Sequence, residues 1–148
     1  MRIALPATLA ILIVIYGLIS FMIARGVTKA DRAPQEAHPS ESGLTYEDVE
    51  FLSQEGGINL SGWYLPGEAE GPHLIFVHGL GSVRSGDNAV ELAARMVEQG
   101  YNVLMFDLRG HGSSDGDQVS GGYFERWDVL GAFDYALERG AEPRTKYC

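Results

Sequence analysis

The length of 148 residues suggests one domain, and 45% hydrophobic with 21% charged residues is the composition of a globular protein, not of a disordered chain. Eleven Lys and Arg against 20 Asp and Glu give a net charge of −9, and every acidic residue follows position 30. So acidic a body would repel phosphates, which excludes a nucleic-acid partner. The only cysteine, Cys148, is the last residue, so an internal disulfide and a cysteine-based zinc site are excluded.

The first predicted element is a helix in residues 4–24, an uncharged run rich in Leu, Ile, Val, Phe and Met. A helix of that length can cross a bilayer core of about 30 Å. We therefore predict a single-pass membrane anchor over residues 1–25. A cleaved signal peptide is the alternative, but the run exceeds the ~7–15 apolar residues of a signal h-region. Basic residues flank both ends almost equally, which leaves the facing compartment open.

A polar linker is predicted over residues 26–43, which contain two prolines and show no apolar periodicity. His38 lies within this linker, and we expect it to be solvated. The other three histidines, at positions 73, 78 and 111, have no metal-ligand spacing, so neither a metal nor a cofactor is expected.

The folded body is predicted over residues 44–148 and begins with a β-hairpin, because apolar and polar residues alternate on both sides of a glycine turn in residues 49–64. A buried strand follows in residues 73–78. The next helix starts near Asp87, with Asp87 or Ser85 as its N-cap, and ends at Gly100. A second buried strand occupies residues 101–107.

The last predicted helix ends at Gly140, and its aromatic and aliphatic residues at helical spacing are expected to face the core: Tyr123, Trp127, Leu130, Phe133 and Leu137. Asp128 and Asp134 are expected on its solvated side. Strands alternating with helices indicate an α/β fold with a parallel or mixed sheet flanked by helices. These elements make only half of a doubly wound sheet, so we expect the chain to be truncated.

A glycine-rich turn, Gly79-Leu80-Gly81-Ser82, joins a buried strand to a helix, where backbone N–H groups bind anions. The turn nearly matches the dinucleotide-binding fingerprint Gly-x-Gly-x-x-Gly, but Arg84 stands where the third glycine is required. Asp107, after the next strand, is at the position of a ribose-binding acid. A phosphate loop is excluded, because Asp87 and Asn88 stand where it needs Lys and Ser or Thr. An oxyanion site is the third interpretation.

Two motifs support that third interpretation: His-Gly-Leu-Gly at 78–81 and Asp-Leu-Arg-Gly-His-Gly-Ser-Ser at 107–114. With them, residues 46–140 resemble the N-terminal half of an α/β-hydrolase, in the branch of monoacylglycerol lipases, S33-type aminopeptidases and membrane-anchored esterases. The resemblance implies a partial α/β-hydrolase fold behind the anchor. It also implies a serine hydrolase that cleaves an ester, thioester or amide of a small acyl substrate through an acyl-serine.

The resemblance also assigns roles to three residues. The backbone N–H of Leu80 would be one of two oxyanion donors, a contribution of roughly 3–4 kcal/mol to the transition state, and His78 and Gly79 would shape its turn. The nucleophile on its Gly-x-Ser-x-Gly elbow, the acid and the histidine would all lie beyond Cys148. We therefore expect this chain to be inactive by itself.

Ser114 sits in a Gly-x-Ser-x-Gly string, at residues 112–116, but in a polar loop far from any strand-to-helix elbow, so we do not expect it to be the nucleophile. By the resemblance, His111 is architectural rather than a general base. Asp107 and Arg109 are expected to form a structural ion pair or a strand-end cap.

Two other functions are open from the sequence. The chain could be a non-catalytic module that binds an anion or a partner through the glycine turn. Less well matched is a dinucleotide-binding domain.

Overall fold

A computed structural model of the protein describes residues 4–30 and 32–142, so Arg2 and Cys148 lie outside the described residues. Seven principal elements follow in chain order: α1 (Ala4–Thr28), β1 (Glu47–Leu52), β2 (Asn59–Leu65), β3 (His73–Val77), α2 (Ala89–Glu98), β4 (Asn102–Phe106) and α3 (Glu125–Glu138). The predicted α/β fold, with its order of strands and helices, is confirmed.

The four strands form one mixed sheet in the order β1-β2-β4-β3. β1 and β2 are the predicted hairpin, with Phe51 opposite Leu60, and β2 runs antiparallel to β4. β3 and β4 are parallel, with Ile75 opposite Leu104. In the described part of the chain β3 is hydrogen-bonded on one side only, so it is an edge strand.

The core has two layers, one on each face of the sheet. β4 supplies both, because its five residues are buried and alternate in direction. On one face the buried cluster lies under α3 and contains Phe51, Leu60, Tyr64, Leu104, Phe106 and Ala132. On the other face it lies under α2 and contains Trp63, Leu65, Val103, Met105, Val90 and Ala93.

α2 begins differently from the prediction. Its N-cap is Asn88, in the left-handed conformation with φ 59° and without a side-chain capping bond, so the prediction of Asp87 or Ser85 was wrong. The Ser85 hydroxyl is used elsewhere, because it donates to Gln35 Oε1 at 2.7 Å. Gly100 follows the helix with φ 87°, as predicted.

α3 packs through small residues, with Val129 and Tyr135 partly buried beside them, and not through its predicted apolar stripe. Its buried face includes Gly131, Ala132 and Ala136, and a Cβ on Gly131 would lie 2.3 Å from the carbonyl oxygen of Leu52. The predicted core stripe was wrong, since four of its members are exposed: Tyr123 61%, Leu130 39%, Phe133 42% and Leu137 36%. Close contact between helix and hairpin therefore requires a glycine at position 131.

A buried ion pair fixes α3. Asp128, which is fully buried, accepts from the Arg109 backbone N–H at 3.0 Å and from its guanidinium at 2.7 Å, and the guanidinium also donates to Ser53 Oγ at 2.9 Å. The prediction of a solvated Asp128 was wrong, and so was a pair between Arg109 and Asp107. A buried carboxylate needs such a partner, because an unpaired charge is costly to bury.

The stretch between α1 and the hairpin, residues 29, 30 and 32–43, forms a connecting segment that is docked on the body. Lys29 forms an antiparallel β-bridge with Gln118. His38 is half-buried, with its ring 4.9 Å from the rings of both Tyr46 and Trp63, so the prediction that it is solvated was wrong. The His38 ring packs against these two aromatic rings, a contact that the composition of the segment does not predict.

α1 projects from this body, and its side chains from Ala7 to Val27 are exposed. Its stretch Ala7–Thr28, 22 residues with a mean hydropathy of 2.5, is long and apolar enough to cross a membrane. The apolar helix of a signal sequence meets the same criteria.

Replacing Asp128 with Ala should lower the free energy of unfolding by about 3–5 kcal/mol, because it leaves the Arg109 guanidinium buried without its carboxylate. The matched control is Asp134→Ala on the same helix, where the carboxylate is exposed and accepts from Gln54. That change should cost less than about 1 kcal/mol. Denaturant unfolding of the detergent-solubilised chain measures both, and equal losses would contradict the role given to the buried pair.

Candidate functional site

The glycine turn lies at the carboxyl end of the sheet. β3 ends at Val77 and residues 78–82 follow it, while the loop 107–116 follows β4. Because β3 and β4 are parallel neighbours, both loops emerge at the same edge. In open α/β sheets this is the edge at which ligands bind.

His78 holds the start of the turn. The ring is buried, its Nε2 accepts from the Leu108 backbone N–H at 3.0 Å, and its Nδ1 lies 2.8 Å from the Gly79 carbonyl oxygen. An acceptor at Nε2 and a donor at Nδ1 require the neutral ring with its proton on Nδ1. Burial lowers the pKa of His78 below its usual value, which favours that neutral form.

His111 supports the turn from the other loop. Its Nε2 accepts from the Gly81 backbone N–H at 3.3 Å, and its Nδ1 lies 2.9 Å from the Arg109 carbonyl oxygen. The two rings meet edge to face, with centroids 4.9 Å apart. Both nitrogens of His111 are occupied by backbone groups, which is the geometry of an architectural histidine.

Leu80 presents a free backbone donor at this edge. Among the described residues no acceptor receives its N–H, while the N–H of Gly81 and that of Ser82 are both bonded. Leu80 is 70% exposed, and no atom lies within 4 Å of the place where a Cβ of Gly79 would be. An anion or a developing oxyanion could therefore approach the Leu80 N–H directly.

Asp107 holds the two loops together. Its fully buried carboxylate accepts from the backbone N–H of Arg84 at 2.8 Å, from that of Ser113 at 3.0 Å and from Gln35 Nε2 at 2.9 Å. The expected strand-end cap is therefore observed, with Arg84 as the ionic partner at 3.6 Å. A carboxylate so committed is not available to a ribose hydroxyl, which argues against dinucleotide binding.

Ser114 is buried among backbone groups. Its Oγ donates to the Asp107 carbonyl oxygen at 2.5 Å and accepts from the Ser61 N–H at 2.9 Å. The hydroxyl thus links β2 to the residue that follows β4. Ser114 is only 1% exposed, so a substrate cannot reach it. This geometry is structural and not that of a nucleophile.

Sequence reasoning missed Arg84 as part of the site's support. The guanidinium stacks 4.1 Å above the Trp63 ring and donates to Ser61 Oγ at 2.9 Å, so the arginine is only 5% exposed. In the sequence it stands in a polar loop, and its partners are more than 20 residues away. No local sequence pattern identifies Arg84 as a support of the site.

The known proteins named below, to which this chain is similar, are hydrolases. The family model described as serine aminopeptidase, S33, matches residues 70–134. The chain is 40% identical over 73 residues to a thiohydrolase, aneE, of Aspergillus aculeatus, covering 49% of this chain and 22% of that one. It is 27% identical over 123 residues to the lysophosphatidylserine lipase ABHD12 of Xenopus tropicalis, covering 70% and 31%.

Solved structures agree with these relatives. An esterase of Pyrococcus furiosus superposes with a TM-score of 0.67 at 28% identity, covering 75% of this chain and 42% of the esterase. The chain spans between about a fifth and a third of the length of the curated relatives named above. Its mixed sheet flanked by helices is thus an α/β-hydrolase-like fold, with an apolar N-terminal helix that could span a membrane.

Stability should fall as the pH drops below about 6.5, because the pKa of His78 is lower in the folded state than in the unfolded chain, where it is near 6.5. The unfolded chain then binds more protons, so acid favours it. His78→Gln removes this contribution while its amide oxygen can still accept from Leu108. Urea unfolding between about pH 8 and pH 5.5 should show a shallower pH slope for the variant. Identical slopes would contradict the assignment.

Replacing Asp107 with Asn should loosen both loops, because the amide cannot accept all three donors and leaves Arg84 without a counterion. Hydrogen exchange at the Arg84 and Ser113 amides should accelerate by orders of magnitude. Asp87→Asn is the matched control, since Asp87 is an exposed carboxylate in the same loop. Unchanged exchange in Asp107→Asn, or equal acceleration in the control, would show that another contact holds the loops.

Proposed function

We propose that this chain is the N-terminal part of a membrane-anchored serine hydrolase and that it supplies one half of the oxyanion hole. The observation that carries the proposal is the unpartnered N–H of Leu80, at the carboxyl edge of the sheet, on a turn that His78 and His111 support through hydrogen bonds. A donor that is fixed before the reaction stabilises an oxyanion without the cost of reorganisation. His78 and Gly79 act as positioning residues.

The substrate class that we propose is an acyl ester or thioester. The similar proteins are a thiohydrolase, a lysophosphatidylserine lipase and an esterase. A backbone N–H aimed at a carbonyl oxygen serves all of these reactions, because each passes through a tetrahedral oxyanion. An amide substrate is the less supported choice, resting on the family model of serine aminopeptidases.

The nucleophile, the acid and the catalytic histidine are proposed to come from polypeptide outside residues 1–148. Three observations support this. Ser114 is committed to backbone groups. The chain spans about a third of its lipase relative. Beside the open edge of β3 lies a groove of about 700 Å³, lined on the α3 side by exposed Phe133 and Leu137, with room for a further element.

Membrane anchoring through α1 is also part of the proposal. Its support is the 22-residue apolar stretch, which is exposed along its length and would otherwise stand in water. The end of the helix is also bonded to the body, through residues 28–30 and 117–119. A signal peptide that is removed does not need such contacts.

Leu80→Pro should slow acylation of the native protein by a fluorophosphonate probe by about 10²–10³-fold, because proline removes the one N–H that the turn offers. Leu80→Ala keeps that N–H and alters only an exposed side chain, so it should label at close to the normal rate. The protein is assayed in membranes of the cells that produce it, with the intact mass recorded on the same sample.

The labelled residue separates the alternatives. Labelling is expected at a serine outside residues 1–148 and should persist in Ser114→Ala. Labelling that disappears in Ser114→Ala would overturn the structural role given to that serine. A native product of the 16.1 kDa mass of these 148 residues that takes up no probe would favour a non-catalytic module instead.

A further inference from the structure

The end of α1 and the residues after it are hydrogen-bonded directly to the loop 117–119. The Thr28 carbonyl accepts from the Val119 N–H at 2.8 Å, and the Ala30 N–H donates to the Asp117 carbonyl at 3.0 Å. Between them lies the bridge of Lys29 with Gln118. The body therefore starts within two residues of the last helical turn, and the loop 117–119 is fixed where the helix ends.

Arg32 strengthens this attachment from the other side. Its guanidinium donates to three backbone carbonyls of one loop, those of Gly112, Ser114 and Gly116, at 3.0, 2.5 and 2.8 Å. This is the loop that follows β4 at the carboxyl edge of the sheet. The edge that carries the glycine turn is thus the edge attached to α1.

An aromatic pair projects from the same region. Tyr123 and Phe124 are 61% and 47% exposed, and their rings meet edge to face at 4.9 Å. Arg126 places its guanidinium 4.6 Å above the Tyr123 ring. Tyr123 is four residues beyond Val119, whose N–H is bonded to the end of α1, so the Cα atoms of Tyr123 and Val119 lie within about 14 Å of each other. Exposed aromatic rings with a neighbouring cation are typical of a membrane interface.

The turn that carries the pair is rigid. Glu125, which is buried, accepts from the N–H groups of Ser120 and Gly122, each at 2.7 Å, and from Ser120 Oγ. Ser120 Oγ in turn accepts from the Phe124 N–H at 2.7 Å. These bonds hold Tyr123 exposed, and they hold Phe124 partly exposed beside the buried Arg109, whose guanidinium carbon lies 5.7 Å from the Phe124 ring. Burial elsewhere would be favourable for such large apolar groups, which points to a partner that covers them.

We propose that Tyr123 and Phe124 form a membrane-contact surface, inserted in the headgroup layer of the bilayer that α1 crosses. The inference rests on the proposed anchoring by α1. The partner is a lipid surface rather than another protein, because the pair lies beside the membrane end of the helix. Contact there turns the edge of the sheet that carries Leu80 toward the bilayer, from which an acyl lipid can reach it.

A labelling experiment on the full chain tests this surface. Cys148→Ser removes the only thiol within residues 1–148, and Tyr123→Cys then carries an environment-sensitive nitrobenzoxadiazole label in phosphatidylcholine vesicles. Lipids with a shallow nitroxide should quench it several-fold more than a label at Glu98→Cys, an exposed site at the far end of α2 and the opposite edge of the sheet. Phe124→Cys is the second variant and should behave like Tyr123→Cys.

Extraction with alkaline carbonate on the same vesicles separates the two levels of the proposal. If the protein stays in the vesicles and both loop labels are quenched no more than the control, the contact surface is wrong while the anchor stands. If carbonate releases the protein, anchoring fails and the contact surface fails with it. Retention together with preferential shallow quenching at positions 123 and 124 supports both.

Discussion

The buried carboxylate of Asp107 is the constraint on which the carboxyl edge of this sheet depends. A charge with no exposed surface must be surrounded by donors, and three parts of the chain provide them: Gln35, Arg84 and Ser113. The connecting segment, the loop before α2 and the loop after β4 therefore converge on one carboxylate. Each of these segments is irregular, and each acquires a fixed shape from a bond to the same side chain.

Much of the fold follows from local sequence patterns. The hairpin, the two parallel strands and the glycines that end the helices were readable from alternation, from apolar runs and from turn chemistry, because these signals act between neighbours in the sequence. The orientation of α3 was not readable. Periodicity pointed Leu130 and Phe133 inward, whereas the structure buries Asp128 beside Gly131, since Arg109 supplies a counterion from another loop.

The candidate site divides in the same way. The turn itself was recognisable because its glycines and His78 follow a buried strand, and the resemblance to α/β-hydrolases assigned the Leu80 N–H a role. Its support was not recognisable, since Arg84 binds Ser61 and stacks on Trp63 through contacts between residues distant in the sequence. Residues that do chemistry leave local motifs, whereas residues that position them are defined by the tertiary fold.

The docked connecting segment, residues 29, 30 and 32–43, limits how the body can move relative to α1. As a free coil, its roughly 15 residues would span about 20 Å on average, and the body would sample many heights and tilts above the helix. Bound through Arg32 and the bridge at Lys29, the same residues act as a spacer of one length. Any molecule that meets the glycine turn therefore meets it at a set distance from the end of α1. The connection therefore fixes the distance between the glycine turn and the end of α1. Its sequence can be changed only where no contact to the body is lost.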